Sequence, residues 1–119
     1  MISSNANVSF EILDMNQLRS VTLEDEELMK EIVAALVEDA SSQIAKIRQA
    51  IERDDIRECG RIAHSARGAC GNVGAASLAA LFSELEEQSR LGKSEDCKRS
   101  INKLNAELEK LRSHITRVM

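Results

Sequence analysis

No proline occurs anywhere in this chain, and glycine occurs only five times in 119 residues. An all-β fold of this length needs turn residues at roughly every 8–12 positions, and that punctuation is missing. Ala, Leu, Glu, Lys, Arg and Ser dominate instead, residues that favour helix. The fold class is therefore all-α, and apolar spacing delimits the helices. A hydroxyl followed by clustered carboxylates at Thr22 to Asp25 marks a helix start. The first long helix runs to about Arg53, with Leu28, Ile32, Leu36, Ala40, Ile44, Ile47 and Ile51 at three- and four-residue spacing. Asp54 or Asp55 caps the next, which ends near Asn72 before Gly74. A third runs from about Ala75 to Leu91 on Leu78, Leu81, Phe82 and Leu85, closed by Gly92. Ser94 opens the last, where Ile101, Leu104, Leu108, Leu111, Ile115 and Val118 form a regular seam. Short connections make neighbours antiparallel, so an up-down four-helix bundle is expected. The seam lasts only about two and a half heptads, which suits packing within one bundle and a monomer rather than a coiled-coil dimer. Phe10, Ile12, Leu13, Met15 and Leu18 suit a short N-terminal helix or an extended cap over one end of the bundle. Residues 1–9 are small and polar and are expected to fray, leaving 10–119 as a single domain.

Several function classes drop out. Net charge is −4, from 16 basic and 20 acidic residues, with no long Lys/Arg run and no Trp or Tyr to stack on bases. Nucleic-acid binding is disfavoured. No stretch approaches the roughly 18 apolar residues of a membrane span, and the start of the sequence lacks a signal-peptide pattern. Cys59, Cys70 and Cys97 form no C-x-x-C pair and fall at apolar helical positions, as reduced thiols of a cytoplasmic protein would. There is no phosphate-binding G-x-x-x-x-G-K-[ST] loop, no dinucleotide fingerprint and no H-E-x-x-H pair. Two histidines and three scattered thiols supply no metal-ligand spacing, so no metal or cofactor is expected on this chain.

His64 stands out against that inventory. At 100° per residue, Cys59, Ile62, Ala66, Ala69, Cys70 and Val73 gather on one side of its helix. His64 falls on the other, among Arg57, Gly60, Arg61, Arg67, Gly68 and Gly71. Each glycine within a helix costs about 0.8–1 kcal/mol relative to Ala, so three on one face call for a benefit. Bare backbone beside the imidazole would let another backbone or a tetrahedral group approach. Arg67, one turn on, adds a permanent cation with a fork of donors. Imidazole, cation and open space suit a phosphoryl group carried on the ring. Cys59 and Cys70 point away from His64, and Ser65 lies about 100° off, so nucleophilic Cys–His or Ser–His pairs are disfavoured. His114, beside Arg112 and Arg117 with no glycine around it, reads as a solvated helix-end residue. Lacking a nucleotide site, the chain must rely on a partner for the rest of the chemistry.

Residues 63–75 resemble the signature of histidine-containing phosphotransfer (HPt) domains, A-H-x-[hydrophobic]-K-G followed by small residues ending in Gly-Ala. Here these are Ala63-His64-Ser65-Ala66-Arg67-Gly68 and Gly74-Ala75. The similarity continues through Leu78, Leu81 and Leu85-Glu86, and the helical layout of about residues 14–117 agrees. The resemblance implies that His64 is phosphorylated on Nε2 and exchanges the group with an aspartate of a response-regulator receiver domain, which would hold Mg²⁺. A hybrid histidine kinase is the other partner it implies. The chain would then be a phosphorelay intermediate with no ATP site of its own. Arg67 would contact phosphoryl oxygens, Gly68 would give the receiver room, and Gly60, Arg61 and Gly71 would complete the partner-facing surface. Glu86 matches a glutamate that, in the phosphorylated domain of chemotaxis kinases, orients the imidazole through Nδ1. Two departures are Arg67 in place of the family's Lys and Ala66 in place of a larger apolar residue. The competing function is a docking module that binds and regulates a receiver or kinase without carrying phosphate.

Overall fold

A computed structural model describes residues 11–119. The expected frayed end at 1–9, and Phe10, lie outside the described residues. Five helices follow: α1 (Met15–Val21), α2 (Glu26–Glu52), α3 (Ile56–Val73), α4 (Ala76–Arg90) and α5 (Ser94–Val118). Segments 53–55, 74–75 and 91–93 turn the chain back on itself. The packing partners α2–α3, α3–α4, α4–α5 and α5–α2 close a ring, the up-down four-helix bundle. Its core joins Leu36, Ile44 and Ile47 of α2, Cys59, Ile62 and Cys70 of α3, Phe82 and Leu85 of α4, and Leu104 and Leu111 of α5.

The N-terminal segment is an extended strap that leads into a short helix. Asp14 caps α1 by accepting from the Asn16 and Gln17 amides, while Leu13 and Leu18 are buried. The Asp14 amide donates to the Gly74 carbonyl at 2.8 Å, and the Ser77 amide to the Glu11 carbonyl at 2.9 Å. Strap and α1 therefore close over the end of α3.

Three local expectations need correction. Thr22 does not start α2. It is buried, and its hydroxyl donates back to the Leu18 carbonyl at 2.7 Å, while Asp25 is the α2 cap. In the first turns of α2, Met29 and Val33 face the core, whereas Leu28 is exposed. Both pairs share i, i+4 spacing, but only 29/33 continues at helical pitch into Leu36 and Ala40. Ser94 opens α5 as expected, behind Lys93 and with no side-chain cap. The seam of α5 ends early: Ile115 is half-buried against the core and Val118 is exposed, at a surface groove shared with Glu26, Met29 and Lys30 of α2.

The three cysteines are free and buried. Burial pushes the Cys70 thiol up to about 12, with Asp39 adding to it, and the Cys59 thiol up to about 11, with Cys97 and Asp55 adding. Burial also raises Cys97. The folded protein is thus expected to ignore an aromatic disulfide reagent at pH 8 and to react at all three cysteines once unfolded in guanidinium. Because the folded-state values are raised, the thiols' contribution to stability is complete below the ionisation of an unfolded thiol, about 8.5. It is then lost as pH rises through the folded values. Denaturant melts between pH 8 and 12 check this decline.

Candidate functional site

Helix α3 is terminated firmly at both ends. Asp55, at its N-cap, accepts from the Glu58 amide at 3.1 Å. Gly74 ends it with φ 94°, and a side chain there would also meet the Asp14 carbonyl oxygen at 2.9 Å. Gln17 of α1 reaches across to donate its amide to the Gly71 carbonyl at 2.6 Å and the Asn72 carbonyl at 3.2 Å, tying α1 to carbonyls of the last turn that have no i+4 amide within the helix. Between these anchors Cys59, Ile62, Ala63, Ala66 and Cys70 face the core. A rigid platform thus carries the opposite face, with His64 at its middle and 64% of that side chain exposed.

Helix α4 brings Glu86 to the ring. Its Oε2 lies 2.8 Å from His64 Nδ1, and its Oε1 accepts from Arg67 Nε at 3.1 Å. Arg67 Nη2 lies 3.0 Å from the same Nδ1. The hydrogen-bond contacts of the imidazole among the described residues are thus all at Nδ1, and Nε2 has no such partner. His64, Arg67 and Glu86 form one cluster, with Arg67 drawn to the Glu86 side of the ring.

The glycines divide into two kinds. Beside Gly68 and Gly71 a Cβ would meet nothing within 4 Å, so both leave open surface next to His64. At Gly60 a Cβ would lie 2.6 Å from Ser89 Oγ. That hydroxyl is held by the Ile56 carbonyl across the α3–α4 contact. The packing of α4 thus accounts for the missing side chain at Gly60, an account that its reading as space cleared for a partner does not include. Arg61 is exposed and pairs with Glu58, its Nε donating at 2.8 Å. This contact holds the Glu58 carboxyl below its usual range.

On one flank of His64, Arg57, Arg61 and Arg90 line a cleft of about 540 Å³ together with Gly60, Glu86 and Ser89. Arg90 is the residue that reading the helices singly missed. It stands four positions after Glu86 on α4, so any face that presents Glu86 presents Arg90 too. Arg90 pairs with Glu87 and Arg61 with Glu58, whereas Arg57 has no ion-pair partner among the described residues. His114 is half-buried near the end of α5 and takes no part in this cluster.

Among the described residues no three His, Cys, Asp or Glu are placed to hold a metal ion, and no helix is long and apolar enough to cross a membrane. The histidine-containing phosphotransfer protein B (HptB) of Pseudomonas aeruginosa PAO1 is similar in structure. It superposes with a TM-score of 0.82 at 26% identity, over 92% of this chain and 95% of that one. Two plant proteins share the fold at 16% identity, each with a TM-score of 0.77. They are a putative histidine-containing phosphotransfer protein of rice (86% of this chain, 75% of that) and ZmHP2 of maize (89% and 87%). No curated protein sequence matches this chain. The sequence profile of the Hpt domain matches residues 31–114, which span the bundle from α2 to α5 and include His64, Arg67 and Glu86. By that match, and by the helix order and the exposed histidine it encloses, the chain belongs to the Hpt domain family.

Proposed function

We propose that this chain carries a phosphoryl group on Nε2 of His64 and exchanges it with the aspartate of a receiver domain, in a response regulator or a hybrid histidine kinase. Histidine phosphotransfer in a phosphorelay is the activity of the family. The observation that carries the assignment to His64 is the asymmetry of its ring: Nδ1 is engaged at 2.8 Å by Glu86, while Nε2 is unpartnered beside the open backbone of Gly68.

The chemistry follows from that asymmetry. With Nδ1–H donating to Glu86, the in-plane lone pair sits on Nε2 and is free to attack phosphorus. The N–P bond forms as the acyl-phosphate O–P bond breaks, and the aspartate carboxylate leaves with the electron pair. The ring becomes cationic while Nδ1–H is retained, and the Glu86 carboxylate beside it offsets that charge. Transfer of this kind depends chiefly on positioning and electrostatics. Mg²⁺ would be held by the receiver, not by this chain. On the flank of His64, Arg57 has no ion-pair partner among the described residues and is the cation free to meet the acidic phosphorylation site of such a partner, while Arg61 and Arg90 are paired with Glu58 and Glu87. A reduced, cytoplasmic setting accords with the free, buried thiols.

The test is incubation with a phosphorylated receiver domain and Mg²⁺. Acid-labile, base-stable label on this chain, mapping to the peptide that holds His64, is the expected result. Tight receiver binding with no label across a panel of phosphorylated receivers would replace carriage by docking.

A further inference from the structure

Two incompatible partners contend for one ring nitrogen. Glu86 Oε2, 2.8 Å from Nδ1, can only accept, and Arg67 Nη2, 3.0 Å from the same atom, can only donate. A neutral imidazole offers at Nδ1 either a proton or a lone pair, so each tautomer satisfies one neighbour and opposes the other. With the proton on Nδ1, Glu86 is satisfied and Nε2 is nucleophilic. With the proton on Nε2, Arg67 donates into Nδ1 and the outward nitrogen has no lone pair for phosphorus. The Arg67 Nε contact to Glu86 Oε1, at 3.1 Å, serves equally well in both. Switching tautomer thus exchanges one charge-assisted hydrogen bond for another of the same class, so neither form is strongly excluded.

We infer that Arg67 is a tautomer gate: a positioning residue that holds part of the His64 population in the unreactive Nε2–H form until incoming negative charge draws its guanidinium off Nδ1. This inference rests on the reading of Nε2 as the phosphoryl-accepting atom. The side chain of Arg67 is 41% exposed and its Nη2 contact to the ring lies at the surface, so an incoming anion can reach that end of the guanidinium while Nε stays on Glu86. A phosphoryl group or the carboxylates around a receiver's aspartate supply the charge. Once Nη2 leaves, Nδ1 takes the proton through solvent, donates to Glu86, and bares Nε2 at the moment a partner arrives. Arginine suits this task better than lysine. Its planar fork spans Glu86 and Nδ1 together, whereas a single ammonium has no such fixed pair of donors.

The test reads the tautomer directly, without phosphorylation. The ¹⁵N shifts of the His64 ring are recorded at about pH 8.5, where an ordinary imidazole is neutral. The wild type is expected to show averaged shifts between the two tautomers. Arg67→Ala should move them to the Nδ1–H form, and Glu86→Ala to the Nε2–H form. Carbethoxylation by diethyl pyrocarbonate, a small uncharged electrophile, should run several-fold faster at His64 in Arg67→Ala, with His114 in the same chain as the internal reference. Shifts that Arg67→Ala leaves in place, or moves toward Nε2–H, overturn the gate while leaving phosphotransfer untouched. Absence of label in the receiver assay would overturn phosphotransfer while leaving the tautomer measurement intact.

Discussion

His64→Gln is expected to abolish transferable label and to leave the bundle standing. The amide nitrogen of glutamine has its lone pair delocalised into the carbonyl, so the variant keeps a polar side chain of similar reach and loses the nucleophile. His64 is solvent-facing on a helix whose core side is carried by Cys59, Ile62, Ala66 and Cys70, so the change touches no buried contact. Stability should stay within about 0.5 kcal/mol of the wild type. Receiver affinity should change little, because the cleft with its unpaired Arg57 and the open surface at Gly68 are retained. The measurements are label transfer, a thermal melt and a binding titration on the same preparation. Label surviving on His64→Gln would move the carrier elsewhere, to His114 as the other imidazole of the chain. Full regulatory output from an unlabelled variant would instead support the docking module.

The reading of the bundle from sequence worked where apolar spacing and punctuation agreed. Helices α3 and α4 begin and end within a residue or two of the boundaries set by Asp55, Gly74 and Gly92. It slipped where two pairs share the same spacing, as for Leu28/Ile32 against Met29/Val33, since spacing within a pair says nothing of which one continues at helical pitch into Leu36 and Ala40. Around the site, single-helix geometry placed His64, Arg67, Gly68 and Gly71 on one exposed face. It could not bring Glu86 to the ring or Arg90 to the cleft, because those contacts depend on how α4 docks. Glu86 came into view through family likeness alone. The packing at Gly60 was out of reach for the same reason, since Ser89 is remote in sequence and meets it only in the folded bundle.

The two kinds of glycine on α3 predict opposite outcomes from like substitutions. Gly68→Ala removes backbone freedom from the unfolded chain and places a methyl in open space, so it should stabilise the fold by about 0.5–1 kcal/mol. Gly60→Ala gains the same propensity but drives its Cβ to within 2.6 Å of Ser89 Oγ. Overpacking costs about 1–3 kcal/mol, and displacing the Ser89 bond to the Ile56 carbonyl costs roughly 1 more, for a net loss of about 1–3 kcal/mol. Function should run the other way. Gly68→Gln, which folds as well as the wild type, projects a long side chain where a receiver must approach His64. It should slow transfer on the order of 100-fold, equivalent to about 2.7 kcal/mol. Gly60→Ala should keep transfer near wild type at a temperature where it remains folded, because that position faces α4. Melting curves and transfer rates on the three variants decide the matter. If Gly68→Gln transfers at the wild-type rate, the receiver does not approach over this glycine, and the open surface beside His64 needs another explanation.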